Sequence, residues 1–199
     1  MDAVRVALLR EVLAGTEWLT ATRRFAGALR GSVVTHGGGL LLLGTPEYEP
    51  WHLAAHLVDE AAWSGTPELA PTLVRYDARP TDPAHLAVGP GRIEAARRGE
   101  TLLVVAPGDT EPLLERVHTA RRAGVTVLTL ATTTDDALTA MAHETLAVPE
   151  AAELDLDTVQ HLVSAAAGEN GPSPRSRRSF RDRLAKLAET VMAPPPTPW

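Results

Sequence analysis

The sequence predicts an α/β three-layer sandwich, a parallel sheet with helices on both faces, preceded by an N-terminal helical region. Three observations carry this. From residue 37 onward, short apolar runs alternate with segments of helical length and spacing. Two of the runs, Leu102–Val105 and Val125–Leu130, lack polar/apolar alternation, as expected of parallel strands covered on both sides. At 199 residues, 44% hydrophobic and 22% charged, the chain suits one domain with a sizeable core. Aromatic residues make up only 4%, so that core must be built from Leu, Val and Ala.

The elements follow in order. Residues 2–36 contain no proline and carry Val6, Leu8, Leu9, Val12, Leu13, Trp18, Leu19, Phe25 and Leu29 at helical spacing. They read as two helices, or one broken near Gly15, serving as core or oligomer contact. Trp18 and Phe25, seven apart on one face, suit a helix–helix interface. Gly37 to Gly39 end this region. Strands are expected at 40–43, 72–76, 101–106, 125–130 and 144–148, and helices at 51–63, 91–98, 111–123, 135–142 and 155–167. Gly, Pro, Ser and Arg dominate 168–178, which reads as a linker. A short amphipathic helix is expected at about 179–192, with Phe180, Leu184, Leu187 and Val191, before a proline-rich end. The organisation is therefore N-terminal helices over 1–36, an α/β core over 37–167 and a tail over 168–199.

Composition narrows the function classes. A net charge of −6 argues against broad nucleic-acid binding. The absence of cysteine excludes disulfides, thiolate metal sites and cysteine nucleophiles, and fits a cytoplasmic protein. No apolar stretch approaches the roughly 20 residues of a membrane span, and the acidic Asp2 does not suit a signal peptide.

Two βα units mark the place to look for a site. Leu40–Leu43 is followed by Gly44 and a helix start at Pro50-Trp51; Thr101–Ala106 is followed by Pro107-Gly108-Asp109-Thr110 and a second helix start. An apolar strand, a tight loop and a helix N-terminus form the layout of an anion-binding site. Ligands of open parallel sheets bind beyond the carboxyl ends of the strands, which places 44–50, 106–111 and 131–135 around any site.

Over residues 20–167 the chain resembles the SIS (sugar isomerase) domain family, and most closely its phosphoheptose isomerase branch. The resemblance rests on the glycines before the first strand, Gly44 after it, and His52-Leu53-Ala54-Ala55 on the next helix. It continues through Gly99 before Thr101–Val105, Gly108, and Ala120-Arg121-Arg122-Ala123-Gly124-Val125-Thr126-Val127-Leu128-Thr129-Leu130. Val148-Pro149 and the segment to Gln160-His161 complete it. It implies a flavodoxin-like core of five parallel strands and a tetramer with sites shared between subunits.

The loops depart from the family pattern. Where these isomerases carry Gly-Asn-Gly-Gly-Ser after the first strand, this chain has Gly44-Thr45-Pro46-Glu47-Tyr48. Where they carry Ser-Thr-Ser-Gly-Asn-Ser, it has Val105-Ala106-Pro107-Gly108-Asp109-Thr110. Pro107 lacks an N–H, and Asp109 and Glu111 add negative charge where a phosphate would sit. Like charges 4 Å apart repel by about 4 kcal/mol at an effective dielectric near 20. Gly44, Thr45, Gly108, Asp109 and Thr110 are the candidate ligand contacts. The resemblance puts a general base, a Glu in the family, at His56, and a partner His at Gly168 (or Ala166 in a shifted register). His56 is thus the one catalytic candidate, and isomerisation needs both a base and an acid.

His52 and His56 lie four apart on one helix face. With His161 they could ligate zinc, which some phosphoheptose isomerases bind at the position matched by His52; alternatively they are polar residues at a subunit interface or cavity. Glu47 and Glu49 could hold a cationic or hydroxyl-rich ligand, or form a solvated acidic turn. Thr132-Thr133-Thr134-Asp135-Asp136 could present hydroxyls to a ligand, or cap a helix through Thr134 or Asp135. Arg175, Arg177, Arg178, Arg181 and Arg183 form one basic cluster on an acidic protein: a docking patch for an acidic partner, or for a nucleic-acid backbone if a tetramer presents four copies, or else a solvated linker and helix start.

The leading functional expectation is a non-catalytic SIS-type protein, phosphosugar-binding-like, with a regulatory or scaffold role. The family offers a precedent in a tetramer that binds the bacterial replication initiator. The alternative is a phosphosugar aldose–ketose isomerase with a rearranged, metal-dependent site. A third is an interaction protein whose tail carries the function.

Overall fold

The structure, a computed structural model, describes residues 3–134, 136–149, 152 and 154–169, with side chains from Leu8 onward. The tail expected over 170–199, with its arginine cluster, lies outside the described residues. So does Asp135.

Five parallel strands form one sheet: β1 (Leu40–Leu43), β2 (Pro71–Val74), β3 (Thr101–Ala106), β4 (Thr126–Ala131) and β5 (Glu144–Ala147). Their spatial order is β2-β1-β3-β4-β5. β1 sits in register with Thr101–Val104 of β3 on one side and with β2 on the other. The chain order therefore reverses between β1 and β3, which puts the topological switch point there.

The two faces of the sheet explain why its strands lack alternation. Leu40, Leu42, Leu103, Val105, Leu128 and Leu130 point into a core shared with Phe25, Leu29, Leu53, Leu57, Val159 and Val163. Leu41, Leu43, Leu102, Val104 and Val127 point into a second core with Ile93, Leu113, Val117, Ala120 and Leu138. Successive residues thus bury in opposite layers, and β1 and β3 are buried at every position.

The first layer holds α2 (Glu17–His36), α3 (Trp51–Ser64) and α7 (Leu156–Gly168), preceded by α1 (Ala3–Val12). The break between α1 and α2 falls at Gly15, which has φ +87°. Trp18 and Phe25 belong to the core on this side of the sheet, the former partly and the latter fully buried. The opposite layer holds α4 (Gly91–Glu94), α5 (Leu114–Arg122) and α6 (Ala137–Met141). Among the described residues no helix is long and apolar enough to cross a membrane.

Three expected helices are shorter than the sequence indicated, for local reasons. α4 stops at Glu94 rather than 98. The Arg97 N–H leaves the helical ladder to donate to Glu100 Oε2 at 2.6 Å, and Glu100 also pairs with Arg92. The helix expected from 111 opens as a 3-10 turn, Glu111–Leu113, containing Pro112; regular α5 begins only at Leu114. α6 begins at Ala137 under a capping box in which Asp136 accepts the Thr139 N–H at 2.7 Å. The cap is therefore Asp136, not Thr134 or Asp135; the Thr134 carbonyl instead accepts the Thr139 hydroxyl. At the other end of the domain, α7 runs through Gly168, one residue into the expected linker.

Candidate functional site

The carboxyl ends of β1, β3 and β4 open toward three loops, each stabilised by contacts within the chain. After β1, Thr45 to Tyr48 form a tight turn in which the Tyr48 N–H donates to the Thr45 carbonyl at 3.1 Å. A Cβ at Gly44 would overlap the Tyr48 carbonyl oxygen. The space opened by this glycine is thus filled by the loop's own main chain. Thr45 is buried, at 1% exposure. Glu49 is neither a free ligand contact nor part of a solvated turn: its carboxylate accepts Arg75 Nε at 3.0 Å, and Arg75 stacks on the Trp51 ring. Glu47 is exposed.

The loop after β3 is likewise engaged. Asp109 Oδ1 accepts the Glu111 N–H at 3.0 Å. The Thr110 hydroxyl donates to Asp136 Oδ2 at 3.2 Å. Gly108 is exposed and lies in open space, where a Cβ would meet nothing within 4 Å. From the loop after β4, the Thr132 hydroxyl reaches the Pro107 carbonyl at 3.4 Å. The carboxylates of Asp109, Glu111 and Asp136 gather here, and the prolines at 107 and 112 withhold two N–H groups. Such a loop suits hydroxyls better than a phosphate dianion.

Between α3 and α7 a polar cluster lies against the β1 loop. The Tyr48 phenol donates to Asp157 Oδ1 at 2.8 Å and accepts from Gln160 Nε2 at 2.8 Å. Burial, with Asp157 adding to it against the opposing hydrogen bond from Gln160, pushes the Tyr48 phenol up to about 12. Gln160 is 2% exposed. One residue further along α7, the His161 ring meets His56 edge-on at 4.6 Å between centroids. Desolvation, reinforced by His161, lowers the His56 imidazole to about 4. His56 is consequently neutral at pH 7 and a weaker base than an ordinary imidazole.

The expected sites come together only in part. His56 and His161 touch, whereas His52 is exposed on the first turn of α3. Among the described residues no group of three His, Cys, Asp or Glu is placed to hold a metal ion. Gly168, where the resemblance implies the partner His, packs directly on the buried Glu60 carboxylate; a Cβ there would overlap it. Tyr48, Glu60 and Asp157 were missed as site-forming residues. Glu60 could have been found from periodicity, since it shares the buried face of α3 with Leu53, Leu57 and Ala61. Tyr48 and Asp157 are 109 residues apart in sequence, and no local pattern links them.

No protein-family model matches the chain, and no curated protein matches it. Solved structures do. The sugar isomerase domain of the RpiR transcription factor from Sphaerobacter thermophilus aligns with TM-score 0.51 at 12% identity, covering 83% of this chain and 86% of that one. The Vibrio vulnificus NanR protein complexed with ManNAc-6P aligns with TM-score 0.52 at 14% identity, covering 96% and 76%. A Salmonella typhimurium LT2 protein, described by name as sugar binding, aligns with TM-score 0.53 at 16% identity; it is matched by 92% of this chain, which spans about half (52%) of it. The chain has the sugar isomerase fold.

Proposed function

We propose that this protein is a non-catalytic binding protein of the sugar isomerase fold, with a regulatory or scaffold role. The observation that carries this reading is the self-engagement of the carboxyl-end loops. The turn over Gly44 fills its own cleft, Thr110 is tied to Asp136, and Asp109 caps its own turn. The Thr110 hydroxyl and the Asp109 carboxylate are thereby engaged within the chain. The place that the resemblance assigns to a catalytic His holds Gly168. The same fold serves a transcription factor and a NanR protein complexed with ManNAc-6P, which supports a sugar-derivative ligand in a regulatory setting. Thr45, Gly108, Asp109 and Thr110 are the residues we assign to its contacts, with Gly44 shaping the turn.

A thermal-shift panel of sugar phosphates and unphosphorylated sugars, run beside an isomerase assay, tests this. A ligand at 100 times its Kd stabilises by about 2.7 kcal/mol. A shift with one sugar derivative and no turnover of any ketose phosphate is the expected result. Measured turnover would overturn the reading.

A second reading, a phosphosugar isomerase, is favoured by one observation: the His56 ring lies against the His161 ring, which brings two imidazoles together. It requires that His56→Ala abolish turnover. If zinc takes part, ligands beyond this chain's described residues must complete its shell, and chelation must also abolish turnover. Under either reading we assign the protein to a homo-oligomer, a dimer or tetramer. Arg175, Arg177, Arg178, Arg181 and Arg183 are assigned to docking of a protein partner.

A further inference from the structure

The opposite end of the sheet holds a second cleft, of about 320 Å³, lined by His36, Arg98, Gly99, Arg122, Gly124 and Thr126 with Ala123. It lies where the chain enters β3 and β4, separated from the carboxyl-end loops by the six-residue length of β3, about 20 Å. We infer that this cleft is an anion site for a phosphate-bearing small molecule, gripped by Arg98 and Arg122.

Charge pairing gives the first reason. Arg10, Arg24, Arg75, Arg79, Arg92 and Arg116 each sit in an ion pair with a carboxylate. Arg98 and Arg122, like Arg23, Arg97 and Arg121, have no carboxylate partner among the described residues, and of these five only Arg98 and Arg122 line the cleft, although the protein carries a net charge of −6. Among the described residues no Asp or Glu lines the cleft. The nearest acidic residue in sequence, Glu100, is buried and already engaged by Arg92 and by the Arg97 N–H.

Geometry gives the second reason. Gly124 has φ +87°, and a Cβ there would press on the Arg98 stem at 3.0 Å. The glycine turn thus lets the Arg98 stem lie close to the main chain at Gly124. The adjacent turn, at Gly99, also has positive φ and contributes main chain without a side chain. The C-termini of α2 and α5 lie at His36 and Arg122 and bring about half a negative charge each. Two guanidiniums exceed that, and their planar forks match phosphate oxygens. The volume is at the small end of ligand pockets, which suits a phosphate or pyrophosphate group with little attached.

Titration calorimetry of the full chain with pyrophosphate, and separately with inorganic phosphate, tests the inference. Wild-type protein is expected to bind pyrophosphate, more tightly than phosphate. Arg98→Ala/Arg122→Ala should weaken this at least tenfold; both side chains are exposed, so circular dichroism should be unchanged. Arg23→Ala/Arg24→Ala, with the same loss of charge elsewhere, and Thr110→Val, at the other end of the sheet, should bind as wild type. Absence of binding, an affinity unchanged in the cleft variant, or an equal loss in either control would overturn the assignment. The Thr110 arm separates it from the carboxyl-end reading, which stands or falls on the sugar panel.

Discussion

At the scale of single residues, His56 is the group whose behaviour can be read most directly. Its folded-state pKa, about 4, lies below the ordinary histidine value near 6.5. The unfolded chain then binds more protons between these values, so stability must rise with pH across that window. His56 thus contributes fully above pH 6.5, and that contribution is lost as pH falls toward 4. Thermal melts from pH 7 to pH 4.5 should show a falling midpoint, and His56→Gln should remove part of the slope. A histidine titration by NMR should find one imidazole still neutral at pH 5. The loop glycines make a second pair of expectations. Gly44→Ala forces a side chain into the Tyr48 carbonyl and should cost roughly 1–3 kcal/mol or more in urea unfolding. Gly108→Ala meets open space at an ordinary φ and should be neutral or stabilise by up to about 1 kcal/mol.

At the scale of elements, α6 depends on its cap. The helix spans only Ala137–Met141, too short to hold itself by its own hydrogen bonds. Asp136→Ala removes the acceptor for the Thr139 N–H and frees the Thr110 hydroxyl. It should cost about 1 kcal/mol and raise amide exchange in the loop after β3, measurable by hydrogen–deuterium exchange. Elements also show what the sequence made legible. All five strands fall within two residues of expectation, because unbroken runs such as Leu102–Val105 have no other stable place than a sheet covered twice. The break at Gly15 and the stop at Gly37 followed from backbone preferences that are local. The limit of α4 did not, since it depends on what Glu100 does with the Arg97 N–H; the late start of α5 goes with the 3-10 turn containing Pro112. The site was less legible for the same reason at longer range. The histidine pair at 52 and 56 was visible as spacing, but the actual contact, His56 with His161, crosses two helices. Glu49 was read from its neighbours in the turn, whereas its partner Arg75 comes from the segment after β2.

At the scale of the whole molecule, the described parts of both cores lie between Trp18 and Ala167. Removing residues 170–199 is expected to leave the urea midpoint and the far-ultraviolet spectrum of the domain intact. If the arginine cluster serves a partner, the same truncation should abolish co-purification of that partner. Retention of the partner by the truncated chain would transfer the interaction to the α/β core. The two ends of the sheet also differ in character. The carboxyl end gathers Asp109, Glu111 and Asp136, while the amino end exposes Arg98 and Arg122. This polarity follows from which strand ends the loops join, not from the net charge.

The turn that folds Tyr48 back over Gly44 has a consequence for any attempt to remodel the protein. Its pieces hold one another: the glycine admits the carbonyl, the tyrosine that follows reaches α7, and the proline between them shapes the bend. Exchanging any one residue for its counterpart in a sugar-phosphate isomerase leaves the others in the way. Converting this loop into a phosphate cradle would require grafting the segment 44–50 as a block, with Asp157 and Gln160 redesigned alongside.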